Sequence, residues 1–141
     1  MKRAYLVALG VLFSLGAGLA VCAQSALYLV NIPFSFYVGE KQLPAGTYYV
    51  ESKKPFDNSA LTLEFIRTAG KAGIALPSIS TLESQDKTAE PRLIFHEYGN
   101  VHFLFQFWGG HGQGKQLVLS PLEREMASKQ VPQDLAVSAR Q

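Results

Sequence analysis

The chain has 141 residues, 48% hydrophobic and 11% aromatic, with only 17% charged. Lys and Arg number 13 against 11 Asp and Glu; setting aside Lys2 and Arg3 of a removable leader leaves 11 against 11. A neutral mature chain lacks the basic patch a nucleic-acid binder needs to displace counterions from phosphate, and this length holds one domain.

Residues 1–23, MKRAYLVALGVLFSLGAGLAVCA, begin with two positive charges, continue through an uncharged apolar run and end in small residues. That is the layout of a secretory signal peptide cut after Ala23. Gly10, Gly16 and Gly18 inside the run argue against a retained membrane anchor. Cys22 is the one cysteine, and Leu19-Ala20-Val21-Cys22 partly matches a lipidation motif, with Val21 where Gly, Ala or Ser is usual. Contact with a membrane is expected only through this segment, uncleaved or lipidated at Cys22. Cleavage after Ala23 leaves no thiol and no disulfide, so stability rests on the core.

From Gln24 the apolar residues come in short runs broken by Gly, Pro, Asn and Asp, which is strand punctuation. Leu27 to Val38 opens the domain, with Ile32, Phe34, Phe36 and Val38 on one face and Pro33 marking an edge or a bend. Lys41 to Gly46 reads as a turn, and Thr47 to Glu51 as the returning strand of a hairpin. Leu61, Leu63 and Phe65 alternate in a third strand; Gly70 to Gly73 turns into a fourth, Ile74 to Ile79. Glu83 to Glu90 is a polar loop. Arg92 to Tyr98 and Val101 to Trp108 form a hairpin closed at Gly99-Asn100, with Gly at the first central position of a type II′ turn.

Leu117 to Leu119 is a last short strand. Ser120-Pro121-Leu122-Glu123 then starts a helix running to Lys129, with a hydroxyl cap, Pro at the first helical position and Glu three residues after the cap. Leu122 and Met126 at i and i+4 would cover the sheet. Val131 to Gln141 reads as a loose tail. The expected organisation is a signal peptide at 1–23, a β domain at 24–130 and a flexible tail at 131–141. Its fold class is all-β: a single antiparallel β-barrel or β-sandwich of about seven strands with one short C-terminal helix.

Several pieces occur together in an order that carries a likeness: Ile32-Pro33-Phe34-Ser35-Phe36-Tyr37-Val38-Gly39, then Leu43-Pro44-Ala45-Gly46-Thr47-Tyr48, Leu93-Ile94-Phe95-His96-Glu97-Tyr98-Gly99, and Ser120 to Met126. Over most of the mature length the chain resembles an uncharacterised family of small secreted β proteins from acidobacteria-like soil bacteria. The resemblance implies a secreted, single-domain β protein and carries over no activity, cofactor or catalytic residue. An Asp often stands in that family where this chain has Ser35.

Constellations that could carry chemistry are few. Gly109-Gly110-His111-Gly112-Gln113-Gly114-Lys115 has the spacing of a phosphate loop, but Gln116 stands where a metal-holding Ser or Thr is needed and no helix follows. Nucleotide binding is therefore not expected, nor is nucleic-acid binding, and no cofactor is expected. With a two-residue turn at Gly99-Asn100, Glu97 lies across from His102 and His96 across from Phe103, which puts His96 and His102 on opposite faces. A three-residue turn would bring them together as metal ligands. No Gly-x-Ser-x-Gly elbow occurs, and no two carboxylates stand out for glycoside hydrolysis.

The most unusual segment is Val101-His102-Phe103-Leu104-Phe105-Gln106-Phe107-Trp108, apolar on nearly both faces. Either one face lies in the core and the other beneath the helix, or Leu104 and Trp108, with Tyr98 and Tyr28, form an interaction surface. Ala26 to Val30 likewise pairs within its own sheet or is offered to a neighbouring molecule. The reading is an exported, non-enzymatic β protein that acts by binding a protein partner or by self-assembly. Two alternatives stand beside it: a small barrel around an apolar ligand, and a metal-dependent hydrolase using His96 and His102.

Overall fold

The computed structural model describes residues 26–53, 60–67, 70–86 and 88–141. The expected leader and Cys22 lie outside them. Among the described residues there are ten strands and one short helix: β1 Ala26–Ile32, β2 Phe36–Val38, β3 Lys41–Leu43, β4 Gly46–Lys53, β5 Ala60–Arg67, β6 Gly70–Glu83, β7 Arg92–Tyr98, β8 Val101–Trp108, β9 Gln113–Leu117, α1 Pro121–Ala127 and β10 Gln133–Arg140.

Hydrogen-bonded neighbours run β8-β7-β10-β1-β4-β5-β6-β9, with the β2–β3 hairpin laid on the free edge of β8. β9 also meets β8, but only over Gln106–Trp108, because β2 occupies the start of that edge through Tyr37 opposite Phe103, in parallel. The result is a curled, mixed sheet forming a half-barrel. The expected all-β chain with one short helix is what forms, but the expected antiparallel barrel or sandwich of about seven strands is corrected to this mixed, curled sheet with more strands. Pro33 ends β1 at Ile32 and sends the chain across to β8, which makes one pairing parallel.

The other corrections are local. The first tight turn is at Gly39-Glu40, with Gly39 at φ 61°, so Lys41–Leu43 is strand and not turn. β4 returns along β1, from Ile32 opposite Gly46 to Ala26 opposite Ser52. Gly70–Gly73 is already strand, facing Arg67 to Glu64. Leu117 ends β9 and does not begin a strand. The expected loose tail is β10, which pairs with β7 over Gln133–Ser138 and with β1 over Ala139–Arg140. Leu135, Val137 and Ala139 alternate with Asp134, Ala136, Ser138 and Arg140 and turn toward the core, so the segment fills a gap that both neighbours would otherwise leave open.

Alternation builds the core. Tyr28, Val30 and Ile32 from β1, Tyr48 and Val50 from β4, Leu63 and Phe65 from β5, and Leu93 and Phe95 from β7 all point inward. Phe36 sits among them, its ring 5.6 Å from Tyr48, 5.8 Å from Phe65 and 5.5 Å from Phe95, two of the three contacts edge-to-face. Two bulges bend the sheet: one at Phe105 opposite the Ile94–Phe95 step, and one between Ser78 and Ser80 where β6 passes from β5 to β9.

Candidate functional site

The β7–β8 hairpin closes through the two-residue turn, with Tyr98 opposite Val101 and Gly99 at φ 62°. Glu97 therefore faces His102 and His96 faces Phe103, so the histidines take opposite faces. On the inner side, the His102 ring stacks on Phe34 at 3.9 Å and His102 Nε2 lies 3.2 Å from Glu97 Oε1. This is a cross-strand contact at the rim of the core. His111 is exposed in the turn after β8.

The outer face of the hairpin carries a second aromatic layer. Tyr37 stacks on Phe103 at 5.0 Å, Tyr98 meets Phe103 edge-on at 5.8 Å, and His96 stacks on Phe105 at 3.7 Å. The bulge at Phe105 makes this possible. It shifts the alternation of β8 so that Leu104 and Phe107 both enter the core while Phe103 packs in the outer layer.

Over this layer lies α1. Ser120 caps it, its Oγ accepting from the Glu123 N–H at 3.2 Å, and Pro121 opens the first turn. The helix ends at Ala127, two residues short of the expected Lys129. It does not cover the sheet with Leu122, which is 41% exposed. The buried residue is Glu123, at 2% exposure, and His96 Nδ1 donates to its Oε1 at 2.6 Å.

Asp134 on β10 faces His96 in register and brings its Oδ1 to 3.7 Å from His96 Nε2, with its own side chain in solvent. One imidazole thus stands between a buried and an exposed carboxylate. The two approach opposite ring nitrogens and do not converge on a point; among the described residues no group of three or more His, Cys, Asp or Glu is arranged to hold a metal ion. Tyr98 completes the cluster. Burial first, then the neighbouring Glu123 carboxylate, pushes its phenol above the ordinary range.

Beside α1 a groove of about 220 Å³ is lined by Gly39 and Glu40 of the β2–β3 turn, Phe103 and Leu104 of β8, and Leu117 to Pro121 with Glu123. The segment with phosphate-loop spacing is a tight turn and the start of β9: Gly109 N donates to Gln113 O and Gln113 N to Gly110 O. Its Gly114 receives the Trp108 ring, not a phosphate.

The expected interaction surface is corrected. Tyr28, Tyr98 and Leu104 are buried, and Trp108 is half-buried between Gly114 and the Arg92 guanidinium, 5.1 Å from its ring. Tyr28 is anchored inside, its hydroxyl donating to Gly109 O at 3.0 Å. Ala26–Val30 pairs within its own sheet along its whole length. Exposed large apolar side chains lie elsewhere: besides Val118, Leu122 and Val131, they are Leu27 and Leu29 on the outer face of β1 and Tyr49 on β4, each of these three 40–50% exposed, with Leu29 directly opposite Tyr49. Sequence reasoning missed this strip because it counted the inward residues of these strands and passed over their outward partners. It also missed Glu123 and Asp134. The signal was present, since a polar ring that alternates outward under a capped helix needs a partner from that helix.

Among the described residues, no helix is long and apolar enough to cross a membrane. No protein-family model, no curated protein and no solved structure matches the chain.

Proposed function

We propose that this chain is an exported, non-enzymatic β-domain that acts by surface binding, associating with further copies of itself in the cell envelope or outside the cell. The observation that carries the reading is the strip of Leu27, Leu29 and Tyr49 on the outer face of β1 and β4. Alternation already sends Tyr28, Val30, Tyr48 and Val50 inward, so the fold itself asks nothing apolar of the outward positions. Single exposed apolar residues are ordinary; three adjacent ones on two paired strands favour an interface. A second copy is the occupant best suited to it, because an apolar patch turned on itself by a two-fold axis is self-complementary without a charge partner. Export rests on residues 1–23, whose pattern is that of a leader, and on the neutral charge balance that follows it.

An apolar ligand inside the half-barrel is disfavoured by the rings of Phe36, Tyr48, Phe65 and Phe95, which occupy its centre. A hydrolase built on His96 and His102 is disfavoured by their opposite faces.

The test is native mass spectrometry with light scattering on the processed chain, alone and as the Leu29→Asp/Tyr49→Ser variant. The expected result is a homo-oligomer starting at Gln24 that the double variant reduces to a monomer with an unchanged melting temperature. A wild-type chain that stays monomeric at high micromolar concentration overturns the proposal.

A further inference from the structure

Along one edge of β8 the partner strand changes. Phe103 is taken by β2, through Tyr37 in parallel, and Gln106–Trp108 are taken by β9 in antiparallel order. Between these two pairings the groove beside α1 opens, lined by Phe103 and Leu104 of β8 and by Leu117 to Leu119. Its floor is apolar and closed, with Phe103, Leu104 and Leu117 only 1%, 4% and 3% exposed. Leu117 still faces Ser78 of β6, but Val118 and Leu119 run on past the end of β9 to an extended Ser120. Among the described residues their backbone N–H and C=O groups make no hydrogen bond, and Val118 is 46% exposed. The rim adds one charge of each sign, Glu40 from the β2–β3 turn and Arg124 from α1. Both are exposed, and neither enters an ion pair among the described residues.

We propose that this groove docks an extended peptide segment of a partner protein. The peptide backbone pairs with Val118 and Leu119, one apolar side chain enters over Phe103, Leu104 and Leu117, and flanking acidic and basic residues meet Arg124 and Glu40.

Three features of the groove select this occupant. An added strand carries donors and acceptors at the strand repeat, so it answers open backbone groups that a lipid or other apolar molecule would leave bare. The floor takes an apolar side chain. The rim asks for both signs of charge, which a peptide supplies from neighbouring residues. Side chains alternate along a strand, so positions i−2, i and i+2 face the groove together. An apolar residue with opposite charges two places to either side therefore meets floor and rim at once. The groove is built from other elements than the strip of Leu27, Leu29 and Tyr49, so this inference does not rest on self-association.

The experiment is an amide NMR titration of the whole processed chain with two acetylated and amidated peptides, Lys-Thr-Leu-Thr-Glu and Glu-Thr-Leu-Thr-Lys, which present the same face in opposite strand directions. One of them is expected to shift the Val118 and Leu119 amides saturably, with a dissociation constant of about 1 mM or tighter, and to slow their exchange with solvent. Ser in place of the central Leu should abolish binding. Arg124→Glu, at an exposed position, should weaken the bound peptide by about two- to fivefold, the scale of an exposed ion pair, and strengthen Lys-Thr-Leu-Thr-Lys. No shift of these amides with either peptide overturns the proposal, whether or not the variant folds. So does binding that survives loss of the central Leu, or equal affinity of the wild type and Arg124→Glu. Shifts caused by monomeric octyl glucoside and by neither peptide would mark a site for apolar small molecules and overturn it too.

Discussion

The indole of Trp108 rests so closely on Gly114 that a Cβ built there would lie 2.6 Å from its Cδ2. The two residues face each other across the β8–β9 pairing, the three-residue seam that brings β9 back to β8. The ring is further held by Arg92 over its face and by its Nε1–H donating to Gln106 at 3.0 Å. Gly114→Ala must therefore displace a ring fixed on three sides. A loss of about 1–3 kcal/mol is expected from urea unfolding, the usual range for overpacking. Gly99→Ala is a useful contrast: it meets no atom within 4 Å, and its cost comes from backbone strain at φ 62° alone.

Removing Phe36 tests the packed centre. Its ring contacts come from β4, β5 and β7, so Phe36→Ala opens a void that no single neighbour can fill. The expected loss is about 3–5 kcal/mol in chemical denaturation. A loss below about 1 kcal/mol would mean that the surrounding rings collapse freely into the gap.

Deleting residues 131–141 removes β10, and with it one ladder partner of β7 and one of β1. The truncated chain is expected to lose its cooperative melt and its near-ultraviolet circular dichroism. A native-like transition would contradict the pairing.

Alkaline titration reads the buried phenols. Burial pushes Tyr28 and Tyr98 up, with Glu123 adding to the effect at Tyr98; Tyr48 is also raised by burial, partly offset by the Arg67 charge. A phenol whose pKa is higher folded than unfolded binds its proton more tightly in the native state. Its contribution is fully present below the unfolded value of about 10 and is lost as the pH rises through the folded value. Stability should therefore fall above about pH 10, and Tyr98→Phe should soften that fall.

Ser120→Ala removes the acceptor for the Glu123 N–H. About 1 kcal/mol is expected from the lost cap in thermal unfolding. If Ser120 also aims Glu123 at His96, the His96 ring signals should shift in this variant.

How far the chain could be read in advance depended on how local each cause was. The β7–β8 hairpin was legible in its strands and its Gly99-Asn100 turn, while its register stood open between a two- and a three-residue turn; the two-residue turn is the one formed, and it places Glu97 against His102. The Ser120 cap and Pro121 likewise announced α1. The helix face was not legible: Leu122 looked like the covering residue by spacing, but it is 41% exposed and Glu123 is the residue buried. The bulge at Phe105 was equally hidden, since nothing local marks which Phe of Phe103, Phe105 and Phe107 takes the extra position. β10 was passed over because Leu135, Val137 and Ala139 are three modest side chains among small and polar ones. Its place is decided by two distant strands, β1 and β7, and not by its own pattern. The apolar strip of the proposed interface was visible only once the outward residues of β1 and β4 were set side by side.

Leu29 and Arg140 are opposite one another in the ladder, so the first described strand is completed by the last. A chain that emerges from one end cannot finish this sheet until β10 is out. Up to that moment β1 and β7 each show a bare edge. The delay sets a hazard. The interval in which neighbouring molecules can pair at those edges ends only when the final strand arrives.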